Sequence, residues 1–85
     1  MNFEYLQSFY TTVKQNSISK AAQILHLTQP GLSGQLKSLE NDLGVKLLIR
    51  SNKGVKLTEE GEEVFNYVDT LLSSQGNIKR DLTNL

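Results

Sequence analysis

The chain contains no cysteine, so neither a disulfide framework nor a thiolate metal site can form. It has one histidine, His26, with no clustered ligands around it in the sequence. A metal site is therefore not expected, and neither is a cofactor. No apolar run approaches the length of a membrane span, and Met1-Asn2-Phe3-Glu4 carries neither a basic nor an apolar leader. A soluble, cytoplasmic protein with no membrane partner is the expectation. Net charge is also absent: nine bases balance nine acids. With 85 residues and 38% hydrophobic content, there is room for one small domain with a thin core. Part of the apolar surface is expected to be covered by a partner.

The zero charge conceals an asymmetry. Residues 1–58 hold seven bases and three acids, a balance of +4, whereas residues 59–85 hold two bases and six acids, a balance of −4. A basic body joined to an acidic tail suits a nucleic-acid binder, and it equally suits an acidic surface helix. The modest +4 favours two copies acting together.

Hydrophobic spacing divides the chain. Leu6, Phe9, Tyr10 and Val13 mark an amphipathic helix over about 3–15. Asn16-Ser17 supplies a break and a cap, and Ile18, Ala21, Ala22 and Leu25 mark a second helix over about 18–25. After the three-residue gap His26-Leu27-Thr28, a third helix runs over 29–42 on Leu32, Leu36, Leu39 and Leu43, and Gly44 stops it. The period then shortens. Leu47–Arg50 and Val55–Leu57 flank the turn cluster 51–54 and predict a β-hairpin. Thr58, followed by Glu59 and Glu60, caps a last helix reaching the early 80s, and Gly61 stands where a capping-box glutamate would.

The fold class is therefore mainly α: a winged helix-turn-helix of three helices plus a two-stranded β-wing over residues 1–58, then a long linker or dimerisation helix over 59–85. In that last helix, Val64, Val68, Leu71, Gln75, Ile78, Leu82 and Leu85 recur at alternating steps of four and three. This is a heptad seam with one polar member, and it predicts a homodimer interface. Phe65 and Leu72, on a neighbouring face, are expected to pack on the winged body.

The third helix opens Gln29-Pro30-Gly31-Leu32-Ser33-Gly34-Gln35. Each glycine costs roughly 1 kcal/mol relative to alanine inside a helix, so two in the first turns suggest a functional demand. Gly31 and Gly34 would let the backbone approach a phosphate or base edge. Gln29, Ser33 and Gln35 offer hydrogen-bonding groups, Pro30 could meet a thymine methyl, and Lys37 stands a turn later for a phosphate. An ordinary helix start with surface polar residues fits the same residues. Lys20 and Thr28 are further phosphate candidates, although Thr28 serves first as a cap. Arg50 could reach a DNA backbone or pair internally with Glu40. No nucleophile–base pair, phosphate loop or distinct acid pair occurs, so an enzyme is the poorest fit.

The run from Leu6 to Gly61 resembles the N-terminal domain of the LysR-type transcriptional regulators. The resemblance rests on Phe9, Ser17, Ala21-Ala22, Leu25–Pro30, Leu32-Ser33, Leu39-Glu40, Leu43-Gly44, Leu47, Arg50, Leu57-Thr58 and Gly61. It implies that helix 29–42 enters the major groove, that the 51–54 turn approaches the minor groove with Lys53, and that the linker helix pairs two subunits on a pseudo-palindromic double-stranded DNA operator. It also implies a longer regulator, of which this is a fragment, sensing a small-molecule effector through a C-terminal domain absent here. Three positions depart from the family pattern. Gly34 replaces a basic or larger polar residue, Leu48 replaces Phe, and Ile49 replaces a commonly acidic residue. The competing expectation is a winged-helix protein-interaction or dimerisation module that does not read DNA.

Overall fold

The computed structural model describes the backbone of residues 2–83 and the side chains of residues 2–73. Its elements are α1 (Phe3–Gln15), α2 (Ile18–Leu25), α3 (Gln29–Leu43), β1 (Leu48–Ser51), β2 (Gly54–Leu57) and α4 (Glu59–Thr83). Order and type match the periodicity, with boundaries shifted by a residue at α3, β1 and β2.

Short polar side chains start the first three helices, and left-handed residues stop them. The Asn2 side chain accepts from the Glu4 N–H at 2.8 Å, Ser17 from Lys20 at 3.1 Å, and Thr28 from Gly31 at 3.0 Å. Each satisfies one of the donors that a helix start leaves without a partner. The ends of α1 and α2 turn left-handed without glycine, at Asn16 (φ 51°) and His26 (φ 58°). The turn between α2 and α3 closes when the Leu27 N–H donates to the Ala22 carbonyl at 2.9 Å. His26 is thus a turn residue. At the end of α3, Gly44 (φ 72°) donates to the Glu40 carbonyl at 2.8 Å.

One core joins all three parts. Leu6 and Phe9 of α1, Ala21 and Ala22 of α2, Leu32, Leu36 and Leu39 of α3, Leu47 and Leu48 at the wing, and Val68 of α4 are buried together. The two alanines are small enough for α2 to lie close beneath its neighbours. Thr12 is also fully buried, its hydroxyl donating to the Ser8 carbonyl at 2.8 Å.

The wing is an antiparallel pair in the register Leu48↔Leu57, Ile49↔Lys56, Arg50↔Val55 and Ser51↔Gly54, with Asn52-Lys53 at its tip. Alternation sends Leu48 into the core and leaves Ile49 53% exposed. Of the two family departures in β1, only Leu48 therefore bears on packing.

The linker helix corrects one expectation. Val68, assigned to the dimer seam, is 0% exposed and belongs to the chain's own core. A 3–4 spacing identifies an apolar face but does not say what covers it, and here the first half of α4 lies on the body. Phe65 and Leu72 pack there as expected, and Val64 is half-buried beside them. On the opposite flank, Tyr67 is 63% exposed and Leu71 half-buried. Gln75, Ile78 and Leu82 lie outside the residues whose side chains are described.

Candidate nucleic-acid interface

The Leu32, Leu36 and Leu39 stripe fixes α3 on the body and so decides which residues of its first turns face outward. Gln29, Pro30, Gly31, Gly34 and Lys37 are exposed, and Ser33 is half-buried. A side chain at Gly34 would meet nothing within 4 Å, so no internal packing requires a glycine there. The opening of the helix presents a nearly bare backbone rimmed by an amide, a hydroxyl and a cation.

The wing stands across a cleft from this surface. Gln29, Pro30 and Ser33 line one wall, and Arg50, Asn52 and Lys53 line the other, enclosing about 720 Å³. The wing is held there by Asn16. The Asn16 Oδ1 accepts from the Val55 N–H at 3.0 Å, and Gly54 (φ 120°) lies so close that a Cβ would come within 2.7 Å of the Asn16 carbonyl oxygen. In the sequence Asn16 is only a helix break. The hydrogen bond spans 39 residues, and no local signal marks it.

Two sequence expectations change here. Gln35, a candidate base reader, is half-buried, and its Oε1 accepts from the buried Ser8 hydroxyl at 2.6 Å. It ties α3 to α1. A buried hydroxyl needs a partner, and Gln35 supplies it at the inward edge of the helix. Glu40 is not the partner expected for Arg50. Its Oε2 accepts from the Leu47 N–H at 2.7 Å and the Leu48 N–H at 3.3 Å, holding the entry to β1. Arg50 is exposed at the cleft wall.

Other candidates lie further out. Lys20 is exposed on α2, away from the cleft lining, and Thr28 combines an exposed position with its cap. Asn41, which sequence reasoning misses, is exposed four residues beyond Lys37 on the same side of α3. The signal that could have found it is the spacing 34, 37, 41 on one helical face. A larger and more enclosed groove of about 1070 Å³ runs along the other flank of α3, where Val45 and Ile49 are exposed beside Lys37 and Lys46.

The attachment of α4 completes the site's frame. Thr58 donates its N–H to the Leu47 carbonyl at 3.0 Å and its hydroxyl to the Lys46 carbonyl at 2.6 Å, and accepts from the Gly61 N–H at 2.9 Å. A Cβ on Gly61 would collide with the Leu47 carbonyl oxygen. The absent capping-box glutamate thus has a cause: this helix start needs glycine at close approach. Further along, Tyr10 donates to Asp69 Oδ1 at 2.7 Å. That hydrogen bond, with burial and the carboxylate's charge behind it, holds the Tyr10 hydroxyl above its ordinary pKa of 10.0.

A short helix pair, a third helix with a bare outward start and a hairpin across the cleft define a winged helix-turn-helix. The chain belongs to the LysR family: the model of the bacterial regulatory helix-turn-helix proteins of that family matches residues 3–62. It is 40% identical over 72 residues to the HTH-type transcriptional regulator GltR of Bacillus subtilis strain 168, covering 85% of this chain and 24% of that protein. The chain thus spans about a quarter of the length of such curated relatives. Among solved structures, BenM_DBD in its catB site 1 DNA complex superposes with a TM-score of 0.83 at 36% identity, covering 99% of this chain and 94% of that one. The CbnR_DBD–DNA complex gives 0.81 at 32%, covering 99% and 97%. The relatives are transcriptional regulators. No helix among the described residues is long and apolar enough to cross a membrane.

Proposed function

We propose that the chain binds double-stranded DNA in a sequence-specific manner as the DNA-reading part of a LysR-type bacterial transcription regulator. The observation that carries this reading is the shared cleft, where Gln29, Pro30 and Ser33 at the start of α3 stand opposite Arg50 and Lys53 of the wing. The likeness to BenM_DBD and CbnR_DBD, whose structures were solved with DNA, supports it. In this reading α3 enters the major groove. Gln29, Pro30 and Ser33 meet base edges, and Gly31 and Gly34 admit close approach of the helix. Lys37 contacts phosphate, with Thr28 and Lys20 as outer contacts, while Arg50 and Lys53 reach the backbone or minor groove from the wing.

Two copies would pair through α4, so that residues 1–58 read DNA and residues 59–85 join the protomers. With Val68 inside the body and Val64 half-buried against it, the pairing face we assign runs from the uncovered side of Val64 through Tyr67 and Leu71 toward Gln75, Ile78 and Leu82. Exchanging Val68 for Tyr67 breaks the strict alternation at Leu71 but leaves every step at three or four, so the residues still share a helix face. The regulator acts in the cytoplasm and catalyses no reaction, and an effector would act through a further domain of the kind that longer relatives carry.

Selection from a random duplex library at moderate and at high salt tests this. An enriched inverted repeat, with half-sites about one helical turn apart, is expected. Single half-sites would leave the reader and remove the dimer. No enrichment and no salt-sensitive binding would replace the reading with a protein-interaction module.

A further inference from the structure

The second hold on α4 has a direction as well as a strength. At its start the helix is fixed through Thr58 and Gly61 to residues 46 and 47. A helix fixed at one end can still swing. The next side-chain hydrogen bond to the body is Tyr10 to Asp69, eight residues past Gly61, or about 12 Å along the axis. Beside it the Tyr10 ring stacks on Phe65, with centroids 4.9 Å apart and planes 12° from parallel. Val64, Val68 and Leu72 supply apolar packing against the body, but such packing is non-directional. The hydrogen bond between Tyr10 and Asp69 is directional and stops the helix from rolling or sliding over that surface.

On the other side of α1, Ser8 donates to Gln35 of α3. Ser8 and Tyr10 stand two residues apart on one helix, so α1 couples the DNA-facing helix to α4 through two side-chain bonds. Beyond Asp69, α4 continues 14 residues to Thr83. A swing of about 10° displaces a point about 20 Å away by about 3.5 Å, the rise of one base-pair step.

We propose that Tyr10 and Asp69 are a positioning pair that sets the direction of α4 against the body, and through it the half-site spacing the dimer accepts. The proposal rests on the DNA-binding dimer described above. Neither residue touches DNA; both act through the angle at which two copies of α3 are presented.

The test is selection from a library of inverted half-sites separated by spacers of every length over one helical turn. The wild-type chain is compared with Tyr10→Phe, Asp69→Ala and Asp69→Asn, and affinity for a single half-site is measured alongside. Tyr10→Phe keeps a ring for the Phe65 stack and removes only the donor. The wild type should favour one spacing. Tyr10→Phe and Asp69→Ala should lower that preference by roughly threefold to tenfold while leaving single half-site affinity unchanged. Asp69→Asn, which retains an acceptor oxygen, should restore it. A sharp wild-type spacing that persists unchanged in Tyr10→Phe would overturn the proposal alone. No preferred spacing in the wild type would overturn it together with the dimer. Equal weakening at every spacing and on single half-sites would reduce the pair to ordinary packing.

Discussion

Helices α3 and α4 are both amphipathic, yet they divide inside from outside by different means. In α3 the leucines at 32, 36 and 39 settle the inner face, and the outer start breaks local helix rules through Pro30, Gly31 and Gly34. Its working surface is written in the residues that face out. In α4 the apolar residues exceed what one face requires. The body takes Val68, Phe65 and Leu72, leaving Tyr67 and Leu71 on the far flank. Local sequence separates the open start of α3 from its leucine stripe, with Gln35 the exception. In α4 only tertiary packing separates the body-facing side from the remainder.

Breaking the inner face of α3 should have the largest effect. Leu32→Ala removes a fully buried side chain and should cost about 2–5 kcal/mol in urea unfolding. Gly34→Ala, two residues away on the open face, should instead gain up to about 1 kcal/mol of stability. If both changes destabilise alike, the division between inner and outer face is wrong. Next comes Glu40→Ala, which deprives the Leu47 and Leu48 N–H groups of their acceptor and should cost about 1–3 kcal/mol, read by the same unfolding curves. Wild-type stability in this variant would show that water replaces the carboxylate. Smaller in stability but sharp in function is Lys37→Ala. It should leave the melting temperature alone and reduce the salt slope of DNA binding by about 0.9, the share of one phosphate that is no longer neutralised. An unchanged slope would take Lys37 out of the interface.

The smallest effect belongs to α4. The Tyr10 hydroxyl is held protonated in the fold, because the bond to Asp69 raises its pKa above 10.0. The folded chain therefore keeps a proton that the unfolded chain releases first. This contribution to stability is complete below pH 10 and declines as pH rises from 10 toward the folded value. Tyr10→Phe should remove that decline, measured as the difference between the two proteins' unfolding midpoints across about pH 9–11. Parallel curves would contradict the bond.

Much of this was legible in the sequence because it was local. Caps at Ser17 and Thr28, the stop at Gly44, the two periodicities and the glycine-bearing start of α3 each lie within a few residues of their effect. What escaped was long-range. Gln35 has the chemistry of a base reader, but Ser8, 27 residues earlier, claims its oxygen. Glu40 and Arg50 have the charges of an ion pair, but the carboxylate instead accepts from two N–H groups at the entry to β1. Asn16 and Gly61 looked like punctuation, whereas Asn16 holds the wing and Gly61 admits a carbonyl. Val68 shows the same lesson in apolar form: periodicity finds the face, and topology chooses its cover.

Whether the start of α3 and the facing wing form the DNA-reading surface is decided by backbone amide chemical shifts of the labelled chain, recorded while duplex DNA carrying the selected site is added. The largest changes are expected over residues 28–37 and 50–54. Changes concentrated instead around Val45 and Ile49 or along α4, with the cleft silent, would place the DNA elsewhere and refute the assignment.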